Sequence, residues 1–134
     1  MLLVPQRRKY RKIAIGRLSG QSSNGTEVSF GTFGMKATSN FLTSRQIEAA
    51  RKVIVRHVRK TGKIWIRVFP DVPVTKKPLE VKMGGKSVDH YMARIRRRVL
   101  FEINGVDYET AKHVFAQASY KLPFTTRTVA REVN

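Results

Sequence analysis

Apolar residues return at helical spacing between Leu42 and Lys60, where Ile47, Ala50, Ile54 and Val58 fall on one side at 100° per residue. This predicts a helix from about Ser44 to Lys60 that packs by that side. Thr43 at the N-cap and Gln46 three residues on form a capping box, with Leu42 and Ile47 at the positions of a hydrophobic staple. Gly62 stands where a left-handed C-cap is needed. On the opposite side Arg45, Lys52, Arg56 and Arg59 form a narrow stripe whose spacing can follow a phosphate backbone. Glu48 is the only acid of this segment, so the usual i,i+4 salt-bridge ladder is absent.

Elsewhere the period shortens to two. Val28 and Phe30 predict a short strand ending at Gly31, with Gly31 and Gly34 as turn glycines. Lys63 to Phe69 is rich in β-branched and aromatic residues and reads as a strand. Ile64, Ile66 and Val68 share one face and Trp65, Arg67 and Phe69 the other; both aromatic residues are expected in the core, with stacking on bases as the alternative. Pro70, Pro73 and Pro78 punctuate an extended loop that carries Lys76 and Lys77. In Val81-Lys82-Met83-Gly84-Gly85-Lys86, two glycines between lysines let a backbone approach a polyanion closely. The spacing of a P-loop is absent. Met92 to Ile103 predicts a long strand with Arg94, Arg96 and Arg98 opposite Ile95 and Val99. Opposing acids are too few to bury such a row. Asn104-Gly105 marks a turn, and Asp107 caps a second helix over Tyr108 to Tyr120 with Ala111, Val114, Phe115 and Ala118 inward. Leu122-Pro123 ends it, and Phe124 to Ala130 alternates as a closing strand.

The order β, α, β, loop, β, α, β predicts a single compact α+β domain, a mixed or antiparallel sheet with two helices, over residues 26–134. Residues 1–25 differ. Arg7, Arg8, Lys9, Arg11 and Lys12 come first, then a Gly/Ser-rich run, which predicts a basic, extended N-terminal arm. Residues 70–91 are read as an extended loop of this domain.

Charge then narrows the partner. Lys and Arg number 27 against 9 Asp and Glu, a formal charge of +18 on 134 residues. Self-repulsion of that size works against compactness unless a polyanion absorbs it. Nucleic acid is the simplest such partner, since each neutralised phosphate releases a counterion. The chain has no cysteine, which excludes disulfides and thiolate metal sites. No apolar stretch approaches the roughly 18–20 residues that cross a bilayer, so no membrane partner is expected. The start lacks the apolar core of a secretory signal and reads as a mature N-terminus. His57, His90 and His113 lie far apart in sequence, without an acid at triad or ligand spacing. Two-metal nucleases need carboxylates in close array. Asp71 and Glu80 are the best pair, and lysines surround them. The expectation is no catalytic residue, no metal ligand and no enzyme.

Several segments in order carry a family resemblance. They are Phe30-Gly-x-Phe-Gly34, Arg45-Gln-Ile-Glu-Ala-Ala-Arg51, Gly62-Lys-Ile-Trp-Ile-Arg-Val-Phe-Pro-Asp71, Val74-Thr-Lys-Lys-Pro78, Val81-Lys-Met-Gly84, Val99-Leu-Phe-Glu-Ile103 and Lys121-Leu-Pro123. From about Pro5 to the end the chain resembles the bacterial-type large-subunit ribosomal protein L-sixteen family. The resemblance implies a nonenzymatic α+β protein on large-subunit rRNA that shapes the A-site region. Implied partners are A-site tRNA and neighbouring large-subunit proteins, with P-site tRNA and the 5S rRNA region as further candidates. Mg²⁺ is implied only as a counterion of the rRNA, and no cofactor. The expected rRNA contacts are Arg7, Arg8, Lys9, Arg11, Lys12, Arg45, Lys52, Arg56, Arg59, Arg94, Arg96 and Arg98. Lys76, Lys77, Lys82, Met83, Gly84, Gly85 and Lys86 form the expected tRNA-proximal loop. That loop departs from the family: Lys82 replaces an arginine that some bacteria hydroxylate, and the Lys/Gly run after Gly85 is short. Bacterial cytoplasm and a mitochondrial matrix both suit such a chain. The rival reading is a free nucleic-acid-binding regulator or nucleoid-type protein.

Overall fold

The computed structural model describes residues 26–58, 60–75 and 88–131, with the backbone alone at 39, 40, 75 and 88–90. The elements run β1 (Phe33–Thr43), α1 (Ser44–Val58), β2 (Lys63–Ile66), β3 (Val72–Thr75), β4 (Val88–Asn104), α2 (Tyr108–Ser119) and β5 (Thr126–Ala130). The five strands make one sheet in the order β2-β4-β1-β5, with β3 also on β4, and every pair is antiparallel. The fold is the expected α+β domain.

β4 organises the sheet because it is 17 residues long. One edge pairs with β1 from Met92 to Ile103. The other edge takes β2 at its end, where Ile64 faces Ile103, and β3 at its start, where Val72 faces Met92. Between them the Arg67 amide donates to the Leu100 carbonyl at 2.8 Å.

Both helices cover one face. Ile47, Ala50, Ile54 and Val58 of α1 and Ala111, Val114, Phe115 and Ala118 of α2 are buried against Met35, Leu42, Ile95, Phe101 and Ile103. The capping box forms as expected: the Gln46 amide donates to Thr43 Oγ1 at 3.2 Å and the Thr43 amide to Gln46 Oε1 at 3.0 Å. Asp107 caps α2, accepting from the Thr110 amide at 3.0 Å. The side-chain and backbone hydrogen bonds from Thr110 hold its carboxyl below the ordinary range.

Four expectations change. The strand at 28–30 is irregular backbone, and the strand begins instead at Phe33 and runs to Thr43. Second, α1 stops at Val58, and Gly62 is not left-handed; among the described residues the glycine with positive φ is Gly105, at 86°. The Gly62 amide closes the helix on the Val58 carbonyl at 2.7 Å. Gly62 is required by proximity, since a Cβ there would enter the Asn104 carbonyl, and a Cβ on Gly105 would lie 2.7 Å from Gly62 Cα.

Third, the loop at 70–91 is shorter than its prolines suggest. Val72–Thr75 pairs with β4, whose first residues replace the loop's far end. Pro73 is tolerated there because an edge strand has one side without ladder partners. Fourth, neither Trp65 nor Phe69 belongs to the core. Val68 fills it, with Ile64 and Ile66 packed against it, while Trp65 is half-buried on the other face and Phe69 is 46% exposed.

Candidate nucleic-acid interface

The apolar stripe of α1 is turned inward by the two-helix layer, so the cationic stripe must face out. Arg45, Lys52 and Arg56 are exposed; Arg59 lies outside the described residues. Glu48 pairs instead with Arg51, three residues on, and that hydrogen bond holds the Glu48 carboxyl below its ordinary range. The pair leaves the stripe's positive field in place. Packing of α1 on α2 also brings together His57 and His113, whose exposed rings meet edge-on at 6.0 Å. No group of three metal-ligating side chains occurs among the described residues, nor a helix long and apolar enough to cross a membrane.

On β4 the arginine row is half-buried, where full exposure was expected. Arg94 and Arg98 have Nε atoms shut off from solvent and without a hydrogen-bond partner among the described residues. Their stems lie along the sheet, as long cationic side chains do when only the head stays wet. Burial pushes the Arg98 pKa down, the nearby Arg67 charge pushes the same way, and Asp71 opposes them. A guanidinium short of partners is stabilised by any anion that reaches it.

Arg97 breaks the alternation. It has a φ of 49°, the only positive value for a non-glycine among the described residues. The left-handed region costs a side-chain-bearing residue about 1–2 kcal/mol. The twist leaves Arg97 exposed, on a cleft of about 550 Å³ that Lys36, Thr38, Thr126 and Arg127 also line. Three cations and threonine hydroxyls around an open cleft suit a phosphate. Sequence reasoning missed Lys36, Arg97 and Arg127. The available signal was an arginine at a strand position where alternation called for an apolar residue.

Glu102 is the other missed residue. It is 0% exposed. Its Oε1 accepts from three successive amides, Ser29 at 3.0 Å, Phe30 at 2.6 Å and Gly31 at 2.8 Å, and its Oε2 pairs with the Arg67 guanidinium. Burial alone would raise its pKa, but the amides of Gly31 and Phe30 and the Arg67 charge outweigh it, so the carboxyl lies below its ordinary range. Gly31 comes so near β4 that a Cβ would sit 2.6 Å from the Ile103 carbonyl. The cradle sets Phe30 over the sheet, with Arg67 Cζ 4.8 Å from its ring centre. The Trp65 ring stacks at 6.3 Å and 20°, and Lys63 Nζ lies 5.2 Å from the Trp65 ring centre.

The remaining expected site residues lie outside the described residues: Arg7, Arg8, Lys9, Arg11 and Lys12 of the arm, and Lys76, Lys77, Lys82, Met83, Gly84, Gly85 and Lys86 of the loop. Glu80 does too, while Asp71 is exposed. The described surfaces carry cations without a catalytic constellation.

A family model described as ribosomal protein L16p/L10e matches residues 5–129. The chain is 56% identical to the large ribosomal subunit protein uL16 of Halorhodospira halophila over 136 aligned positions, covering 98% of this chain and 99% of the relative. The proteins of the same description from Xanthomonas oryzae pv. oryzae and Vibrio cholerae are 53% and 52% identical, with the same coverage.

Proposed function

The chain belongs to the ribosomal protein L16p/L10e family, whose members are structural proteins and not enzymes, and we propose that it holds large-subunit rRNA in place within a bacterial ribosome. The observation that carries the proposal is the distribution of cations over the described surfaces of a chain with a formal charge of +18. Cations occupy the outer face of α1, the arginine row of β4 and the cleft at Lys36, Arg97 and Arg127. One small protein that presents cations on several surfaces is suited to RNA that wraps it, since a single flat duplex would satisfy one face.

In this reading phosphate neutralisation binds the RNA, and the sheet sets where each cation reaches. Arg45, Lys52, Arg56 and Arg59 follow one backbone; Arg94, Arg96 and Arg98 meet another; Arg7 to Lys12 thread between helices. The segment from Lys76 to Lys86, carried between β3 and β4, is the contact for A-site tRNA, with P-site tRNA within its further reach. Neighbouring large-subunit proteins and the 5S rRNA region complete the surroundings, and Mg²⁺ takes part as an RNA counterion. The bacterial sources of the relatives favour bacterial cytoplasm over an organelle.

Sedimentation of lysate at high Mg²⁺ tests the proposal. The chain should comigrate with large subunits, and Lys52→Glu with Arg56→Glu should shift it toward the top of the gradient. Wild-type protein found free or on DNA would favour a nucleic-acid-binding regulator instead.

A further inference from the structure

We propose that Phe30 and Trp65 form a stacking site for an unpaired RNA base, with Lys63 beside it for that nucleotide's phosphate. The inference rests on the RNA-binding reading and names a ligand within it. Phe30 is 56% exposed, an unusual place for a large apolar ring that the core does not use. Its backbone is held all the same, because Glu102 takes the amides on either side of it and its own. The backbone that carries the ring is thus fixed before any ligand arrives, which lowers the ordering cost of binding. Trp65 lies nearly parallel to it, and a cation lies over one face of each ring, Arg67 on Phe30 and Lys63 on Trp65, so the base takes the face each cation leaves open.

Aromatic rings beside cations form the chemistry on which bases of single-stranded nucleic acid stack, and it is tolerant of sequence because every base has a π face. In a duplex those faces are already covered by neighbouring base pairs, so the ligand is a base turned out of a helix. Glu102 contributes as a positioning residue and does not touch the base.

Trp65 is the only tryptophan, so its emission reports on the site directly. The full chain is titrated with a fluorescently labelled single-stranded purine RNA, and with an abasic strand of equal phosphate number. The purine strand should quench Trp65 and the abasic strand should not, although both bind. Phe30→Leu keeps the backbone amide and should weaken the purine strand about five- to tenfold by anisotropy, with abasic binding unchanged. Equal quenching by both strands, or a Phe30→Leu loss shared by both, would overturn the stacking site and leave RNA binding standing. If neither strand binds, the RNA-binding reading fails together with the site.

Discussion

Glu102→Gln keeps the volume of the most buried acid among the described residues and removes its charge. Three amides and a guanidinium converge on the carboxylate, which itself has no exposed surface. Hydrogen bonds to a charged group contribute about 1.5–3 kcal/mol against about 1 for a neutral pair. Gln retains one acceptor oxygen for the amides, but its amide nitrogen must turn toward Arg67 and donor then faces donor. The sum comes to about 3 kcal/mol, at the low end of the cost of breaking a buried ion pair. For 134 residues that lowers Tm by about 10 °C. Because the folded pKa of Glu102 is depressed, its contribution is complete above the unfolded value of about 4.3 and is lost as pH falls through the folded value. Urea unfolding of both proteins at pH 6 and pH 3 isolates this group, since other carboxyls cancel in the difference. The gap should narrow at pH 3. Hydrogen exchange at Ser29, Phe30 and Gly31 should accelerate in the variant. A gap that is the same at both pH values, or below about 0.5 kcal/mol at pH 6, would refute the reasoning.

Other perturbations separate folding from binding. Lys52→Glu with Arg56→Glu should reduce the slope of log affinity for duplex RNA against log salt by about 1–2, with little change in Tm; an unaltered slope would mean that the stripe meets no phosphate. Ile54→Asp places an unpaired charge in the core and should cost more than about 3 kcal/mol, read as loss of cooperative melting. Arg97→Gly relieves the left-handed strain but adds glycine's entropy, so stability should stay within about 1 kcal/mol. RNA affinity should nevertheless fall, and unchanged affinity would remove Arg97 from the interface.

Both helices were legible in the sequence because their signals lie within a few residues. The Thr43–Gln46 box, the Asp107 cap and the inward faces all form as read. The strands were legible only where alternation was clean. At β1, Gly31 and Gly34 suggested turns, yet Gly34 belongs to the strand, where a side chain would collide with Val28 and Val99. At β3, prolines suggested a loop, but an edge position tolerates Pro73. Trp65 has the character of a core residue, but it pairs across the ladder with Glu102, on the face where Arg67, just past the end of β2, meets that carboxylate.

Charge, helix faces, caps and the absence of cysteine chemistry follow from the amino-acid sequence by itself, because each depends on residue type and on spacings shorter than about two helical turns. The tertiary structure alone decided that Glu102 would hold amides some 70 residues earlier in the chain, that Arg97 would turn left-handed, and that Lys36 and Arg127 would share its cleft. Those outcomes depend on which strands pair and in what register. The period of two fixes which side chains share a face and so constrains register, but it does not say which strands become neighbours, and that is decided by the packing of the whole sheet.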